Sequence, residues 1–238
     1  MTAASSSSPA ALGPALTKPL DRDPHILPSF TNDSISNPEG CLLYLPPLLS
    51  SLPEKYSTLR SSSPARGQLP LTTNSRLPDI DHASLSLHKA LHNFRPIHAN
   101  YADSSYAQSF NWSELTLPAE DEREWYCVVF RSKRKTGSNN EPLYDADRKA
   151  HEEAVQNGGL IAYWYGVPDP VSGLNLATCI WQSRKHAIAA NSRPHHVEAM
   201  RLTAESYERY DLERHVLRKV KGEMSPVVVA FTSGDVGW

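Results

Sequence analysis

Cysteine is scarce in this chain: three in 238 residues, Cys41, Cys127 and Cys179, with no CxxC pair among them. That spacing offers neither a thiolate zinc site nor a disulfide framework, and it suits a reducing, cytoplasmic setting. Long apolar runs are missing too. None approaches the roughly 18 residues a membrane span needs, and the opening stretch MTAASSSSPAALGPALTKPL has no continuous apolar core of a secretory signal. Neither sign of charge is in excess. Lys+Arg number 24 against 26 Asp+Glu, a net of -2, which argues against a general binder of nucleic acid or other polyanions. The 11 glycines form no phosphate-cradling loop, Walker pattern or GxSxG elbow. His151-Glu152-Glu153-Ala154-Val155 lacks the second histidine of a zinc-protease helix. Neither a metal nor a cofactor is expected.

Proline is what the chain has in abundance, 19 residues, most of them before residue 100. Residues 1–40 are Ser/Pro/Ala-rich, too poor in apolar groups to fold, and read as a disordered tail. Residues 41–123 read as a Pro-rich extension. Within it, CLLYLPPLLSSLPEKYSTL is apolar but broken by Pro46, Pro47 and Pro53, and lays leucines on a surface of the main domain. The same leucines, exposed, would suit a partner-binding motif, the basis of an alternative non-enzymatic binding or scaffold role. Asp79 to Phe94 has helical periodicity, with Ile80, Leu85, Leu87, Leu91 and Phe94 on one side and Pro96 beyond its end. His88 and His92 have the i, i+4 spacing of a ligand pair. No third ligand is in reach, so both are expected to be solvated. Tyr101, Tyr106, Phe110 and Trp112 follow as aromatic anchors.

From Glu124 the texture changes, and 124–231 reads as the folded domain. EWYCVVFR is a strand by its β-branched and aromatic content. The basic run Arg131, Lys133, Arg134, Lys135 reads as a solvated loop, with contact to an anionic substrate tail as the alternative. A helix over Tyr144–Gln156 stops at Asn157-Gly158-Gly159. LIAYWYG and LNLATCIWQ, joined by PDPVSG, form a hairpin. Ser183 is expected to cap a short helix through Asn191, and Ser192 a second one with Pro194 in its first turn and Val197, Met200, Ala204 and Tyr207 as its inward stripe. DLERHVLRKV is the last strand, with His215 at an interface, and PVVVAF adds an edge. Strand, helix, strand, strand, helix, strand is the α+β ferredoxin-like βαββαβ order, an antiparallel sheet with two helices on one face. Both faces of its strands are apolar, so either the extension or a second chain covers the other face.

The candidates for chemistry sit on the helices and the middle strands. His196 and His195 open the second helix, where a neutral imidazole can act as general base or meet an anion. His196 falls inward, and its bland reading is a packing histidine. Asp147 and His151, four apart on the first helix, form a candidate carboxylate–imidazole pair. Tyr163, Tyr165, Trp181 and Met200 can line an apolar pocket for an aromatic ligand, or simply fill the core.

NLATCIWQSRKHAIAANSRPHHVEAM, a strand ending in Trp-x-Ser before a broken helix with Ser-x-Pro-His, resembles the dimeric α/β-barrel superfamily, which includes the antibiotic-biosynthesis monooxygenases. FNWSEL, EREWYCVVFRS and NLATCIWQSR together resemble a family of fungal proteins with no assigned activity. The first likeness implies a homodimer with a pocket between each sheet and its helices. EWYCVVFR lacks the asparagine of the haem-degrading members, so haem breakdown is not implied. The expectation is a protein that binds a small apolar or aromatic molecule and, if an enzyme, transforms it without a cofactor, as a monooxygenase, cyclase, isomerase or dehydratase does. Its candidate catalytic residues are His196, His151 and Asp147, and its candidate contacts are Tyr163, Tyr165, Trp181, His195 and Met200.

Overall fold

The strongest β-forming run in the chain, Arg123–Arg134, makes the central strand of the sheet. The computed structural model describes residues 22–28, 41–47, 81–136 and 141–237. Most of the tail expected over 1–40, together with Leu48, Leu49 and Ile80, lies outside these residues. In chain order the elements are β1 (Leu42–Tyr44), α1 (His82–Ala90), α2 (Tyr106–Ser109), β2 (Arg123–Arg134), α3 (Glu141–Asn157), β3 (Leu160–Tyr165), β4 (Leu174–Trp181), α4 (Arg184–Asn191), α5 (Pro194–Ser206), β5 (Tyr207–Lys219) and β6 (Val227–Ala230). The sheet runs β1-β3-β4-β2-β5-β6, antiparallel at every pairing. Its four middle strands, with α3 and the α4–α5 pair as crossovers, are the ferredoxin-like βαββαβ unit. β1 and β6 extend it at either edge.

Local chemistry explains most boundaries. Ser183 Oγ accepts from the His186 N–H to start α4. α3 ends on Gly158 and Gly159, with φ of 85° and 84°, a conformation that disfavours side chains. A Cβ on Gly159 would stand 2.1 Å from the His186 ring. Gly159→Ala is therefore expected to lower stability by about 2–4 kcal/mol from clash and backbone strain together, read as a fall in the urea midpoint without a change in slope.

Three local readings are corrected. The basic run is not a loop: β2 continues through Lys133 and Arg134, because β5 is long enough to pair with it as far as Tyr207. Alternation then sends Arg131 to one face, where it pairs with Glu213 and donates to the Ala102 carbonyl at 2.6 Å, and Arg134 to the other. The cap of α5 is Arg193, not Ser192, whose hydroxyl instead donates to the Ala189 carbonyl at 3.1 Å and so closes α4. The inward stripe of α5 is His196, Ala199, Thr203 and Ser206. Val197, Met200 and Ala204 are exposed, because Ala199 packs on Ala146 and Ala150 of α3 and sets the inward face one residue, about 100°, from the expected stripe.

The second sheet face is covered by the chain itself. Trp125, Cys127, Val129, Ile161, Trp164, Leu176, Ile180 and Leu217 form one buried cluster with Leu43, Leu87, Leu91, Phe94, Tyr106, Phe110 and Trp112 of the extension. Rings interlock there: Phe110 stands edge-on to Trp164 at 4.8 Å and stacks on Phe94 at 4.5 Å. Hydrogen bonds pin the cover in register. The Trp125 indole donates to Ser84 Oγ at 2.8 Å, and the Tyr106 hydroxyl meets Thr178 Oγ1 at 2.8 Å. His215 packs under this cover against the Tyr106 ring at 5.0 Å, with Glu213 3.1 Å from its Nε2. Leu43 is 1% exposed and pairs with Trp164 through β1, so this leucine serves the core and is not a handle for a partner.

Candidate functional site

On the opposite face the space between sheet and helices is not filled. β2, β3 and β4 send Phe130, Tyr163, Tyr165, Cys179 and Trp181 upward, while α3 and α5 send down Asp147, Ala150, His151, His196 and Ala199, enclosing a cavity of about 190 Å³. Small residues make the room. Ala146 and Ala150 of α3 pack on Ala199 of α5, so the helices lie close together and leave space beneath their contact. The mouth carries Met200, Tyr210 and Leu212, all more than 40% exposed. An apolar cavity of ~150 Å³ holds one benzene, so this one takes one or two rings.

Of the sequence candidates, His196, His151, Asp147, Tyr163, Tyr165, Trp181 and Met200 all line this cavity. His195 does not: it is exposed, roughly 100° around the helix. Nor is the start of α5 open to an anion. Glu153, reaching over from α3, accepts the backbone N–H groups of His195 at 2.9 Å and His196 at 3.2 Å. That carboxylate occupies the positive end of the helix dipole.

The His196 ring is partly buried, and its Nδ1 is out of solvent with no hydrogen-bond partner. Burial lowers its pKa, the His151 imidazole lowers it further, and Asp147 and Glu153 only partly oppose them, so the ring is neutral at pH 7. The sign for stability follows. A histidine whose pKa is depressed in the fold contributes stability that is present above its unfolded value, ~6.5, and lost as pH falls through that value toward the folded one. NMR titration of the His196 Cε1 proton, assigned by His196→Gln, is expected to give a midpoint below that of free histidine. A raised midpoint would contradict this electrostatic picture.

His151 is held differently. Its Nδ1 lies 2.7 Å from the Asp147 backbone carbonyl and 3.6 Å from the Asp147 carboxylate. A carbonyl only accepts, so Nδ1 carries the proton and Nε2 holds the lone pair of the neutral ring. The expected carboxylate–imidazole pair is thus mainly a backbone bond, because an i, i+4 reach brings the ring over its own helix carbonyl. The His151 ring sits 3.9 Å from that of Tyr163, whose hydroxyl burial keeps protonated far above the usual range.

What the sequence left open is the placement of Arg134. Read as part of a solvated run, it instead points into the cavity with its guanidinium 4.6 Å over the Tyr144 ring and 3.4 Å from the Tyr165 hydroxyl. Only the length of β2 could have signalled it. Cys179 lies on the cavity wall and Cys127 on the far face. Burial pushes the Cys127 thiol up to about 12 and the Cys179 thiol well above its ordinary value. Neither is a nucleophile at neutral pH, and both are expected to resist Ellman's reagent at pH 8 until the protein is unfolded.

A family model described as PB2B2.08-like matches residues 68–230, the cover and the βαββαβ unit together. The chain belongs to this family. UPF0643 protein PB2B2.08 of Schizosaccharomyces pombe is 33% identical to it over 162 residues, 61% of this chain and 73% of that one. Among solved structures, a putative antibiotic biosynthesis monooxygenase from Nitrosomonas europaea is similar at 15% identity and a TM-score of 0.35, covering 42% of this chain and 93% of that one. SnoaB, a cofactor-independent oxygenase from Streptomyces nogalater, is similar at 8% identity and a TM-score of 0.34, covering 42% of this chain and 99% of its own. Nothing about this chain's chemistry follows from the last two. Among the described residues no helix is long and apolar enough to cross a membrane.

Proposed function

We propose that this chain binds a small, largely apolar or aromatic molecule between its sheet and helices and transforms it by proton transfer, without a cofactor. Isomerase, cyclase, dehydratase and oxygenase chemistry all begin with such a step. The observation that carries the reading is His196, a neutral imidazole on the wall of a ring-sized cavity beside a second imidazole. In this role the His196 imidazole removes a proton from an activated C–H or O–H of the bound molecule. The electron pair moves onto the molecule's own oxygen, and the imidazolium later returns the proton.

Cavity occupancy is tested with 2-naphthol. The native protein is expected to bind it one to one, and Ala199→Trp, which fills the cavity from α5, to abolish binding. Equal binding by both would overturn the reading. The free thiols of Cys41, Cys127 and Cys179 suit work in the cytoplasm. Residues of the cover occupy the sheet face on which two barrel halves would close. A homodimer would therefore form on other surface, at the exposed apolar rim of Val197, Met200, Tyr210 and Leu212, and native mass spectrometry reads it directly.

A further inference from the structure

The arginines of the central strand are not treated alike. Arg131 is matched by Glu213, and Arg123 by Asp81 at 3.2 Å. Arg134, which faces the cavity, has no carboxylate partner among the described residues. Its surroundings are tyrosines: the guanidinium lies 4.6 Å over the Tyr144 ring and 5.4 Å from the Tyr207 ring, and Nη2 makes one long bond of 3.4 Å to the Tyr165 hydroxyl. The Tyr144 hydroxyl also neighbours the guanidinium, but Nε and Nη1 are buried with no acceptor in hydrogen-bond geometry among the described residues. A guanidinium cannot shed its charge to escape this, and buried N–H groups left unmet are costly. Aromatic faces hold a cation, but they offer its N–H groups no negative oxygen.

We propose that Arg134, framed by Tyr144, Tyr165 and Tyr207, is an anion-binding pole of the cavity, and that the molecule bound there is an aromatic acid. Its carboxylate sits on the guanidinium and its ring body lies against Tyr163 and Cys179. The inference rests on the cavity being a binding site, and it adds the substrate class. Geometry agrees on size. Arg134 pairs with Tyr207, at the far end of α5 from His196. Eleven residues of helix at ~1.5 Å each separate the two backbones by roughly 16 Å, a span that a long arginine side chain, an imidazole and one or two fused rings fill.

The probes are 2-naphthoate and its neutral isostere 2-naphthamide, titrated calorimetrically into the full chain. The expected result is naphthoate bound at least ~10-fold more tightly than naphthamide, as a charge-assisted hydrogen bond allows. Arg134→Gln should bring the ratio of the two affinities to about one, and Arg134→Lys should restore part of the preference. If the native protein binds both probes equally, or Arg134→Gln keeps the preference, the anion pole is overturned and the cavity reading stands. If neither probe nor 2-naphthol binds the native protein, the cavity reading falls and this inference falls with it. Should Arg134→Gln fail to fold, the ratio of the two probes on the native chain still decides.

Discussion

Deleting residues 1–117 is expected to leave no folded domain, although the whole βαββαβ unit lies beyond the cut. The deletion would bare Trp125, Val129, Ile161, Trp164, Leu176, Ile180 and Leu217, now buried beneath the cover. At ~1.5–3 kcal/mol for each large apolar side chain, their exposure exceeds or matches the ~5–15 kcal/mol that holds a typical domain folded. The truncated chain should lack a cooperative unfolding transition, or associate through the bared face. A point variant gives a graded version of the same result. Trp164 is 1% exposed and touches Phe110 and Tyr101 edge-on, so Trp164→Ala should lower stability by about 3–5 kcal/mol. A truncated chain that melts cooperatively as a monomer would show that the cover is an accessory and not part of the core.

His196→Gln is expected to slow proton transfer by about 10²–10⁴-fold, the usual weight of a positioned base, while leaving stability and ligand affinity nearly unchanged. Stability is spared because Glu153 bonds the backbone N–H groups at this point and not the ring. The readout needs no natural substrate. Exchange of the α-protons of 2-tetralone in D₂O, followed by ¹H NMR, asks only whether a base in an apolar cavity lifts a proton and returns a deuteron. The His196 ring takes the proton, the electron pair passes to the ketone oxygen as an enolate, and the ring exchanges with solvent before giving a deuteron back. The pH profile should stay flat to lower pH than for free histidine, since burial lowers the His196 pKa, and fall as the ring is protonated. His195→Gln, on the exposed side of the same helix, should leave the rate unchanged. Equal exchange by the His196→Gln variant would remove this residue from the chemistry.

Much of this molecule is legible in its residues alone. The order of elements from Arg123 to Lys219 follows from local signals: β-branched runs, glycines after α3, Ser183 before α4, Pro194 at the start of α5. These are short-range preferences, and a sequence carries them openly. The apolar character of both strand faces also announces that something covers the second face. Whether that cover is the extension or another chain lies beyond such signals, because a cover such as Phe110 on Trp164 joins residues far apart in the chain.

The site divides along the same line. Seven of the eight proposed positions line one cavity, since helical spacing and strand alternation place side chains on faces without tertiary knowledge. His195 lies about 100° from His196, as helical geometry implies, and so outside the cavity, while the stripe of α5 is offset by one residue because its packing on α3 sets the inward face. Arg134 is only half legible in sequence: the basic run admits contact with an anion, but not which of its cations faces a cavity. In sequence it is one cation among four; in the fold it is the one whose strand alternation turns it away from solvent into a ring of tyrosines. Sequence alone determined the order of elements and which faces are apolar, because those depend on near neighbours. The openness of the cavity, the carboxylate of Glu153 on the start of α5 and the unmatched charge of Arg134 were decided only by tertiary structure, because each depends on which distant residues the packing brings together or keeps apart.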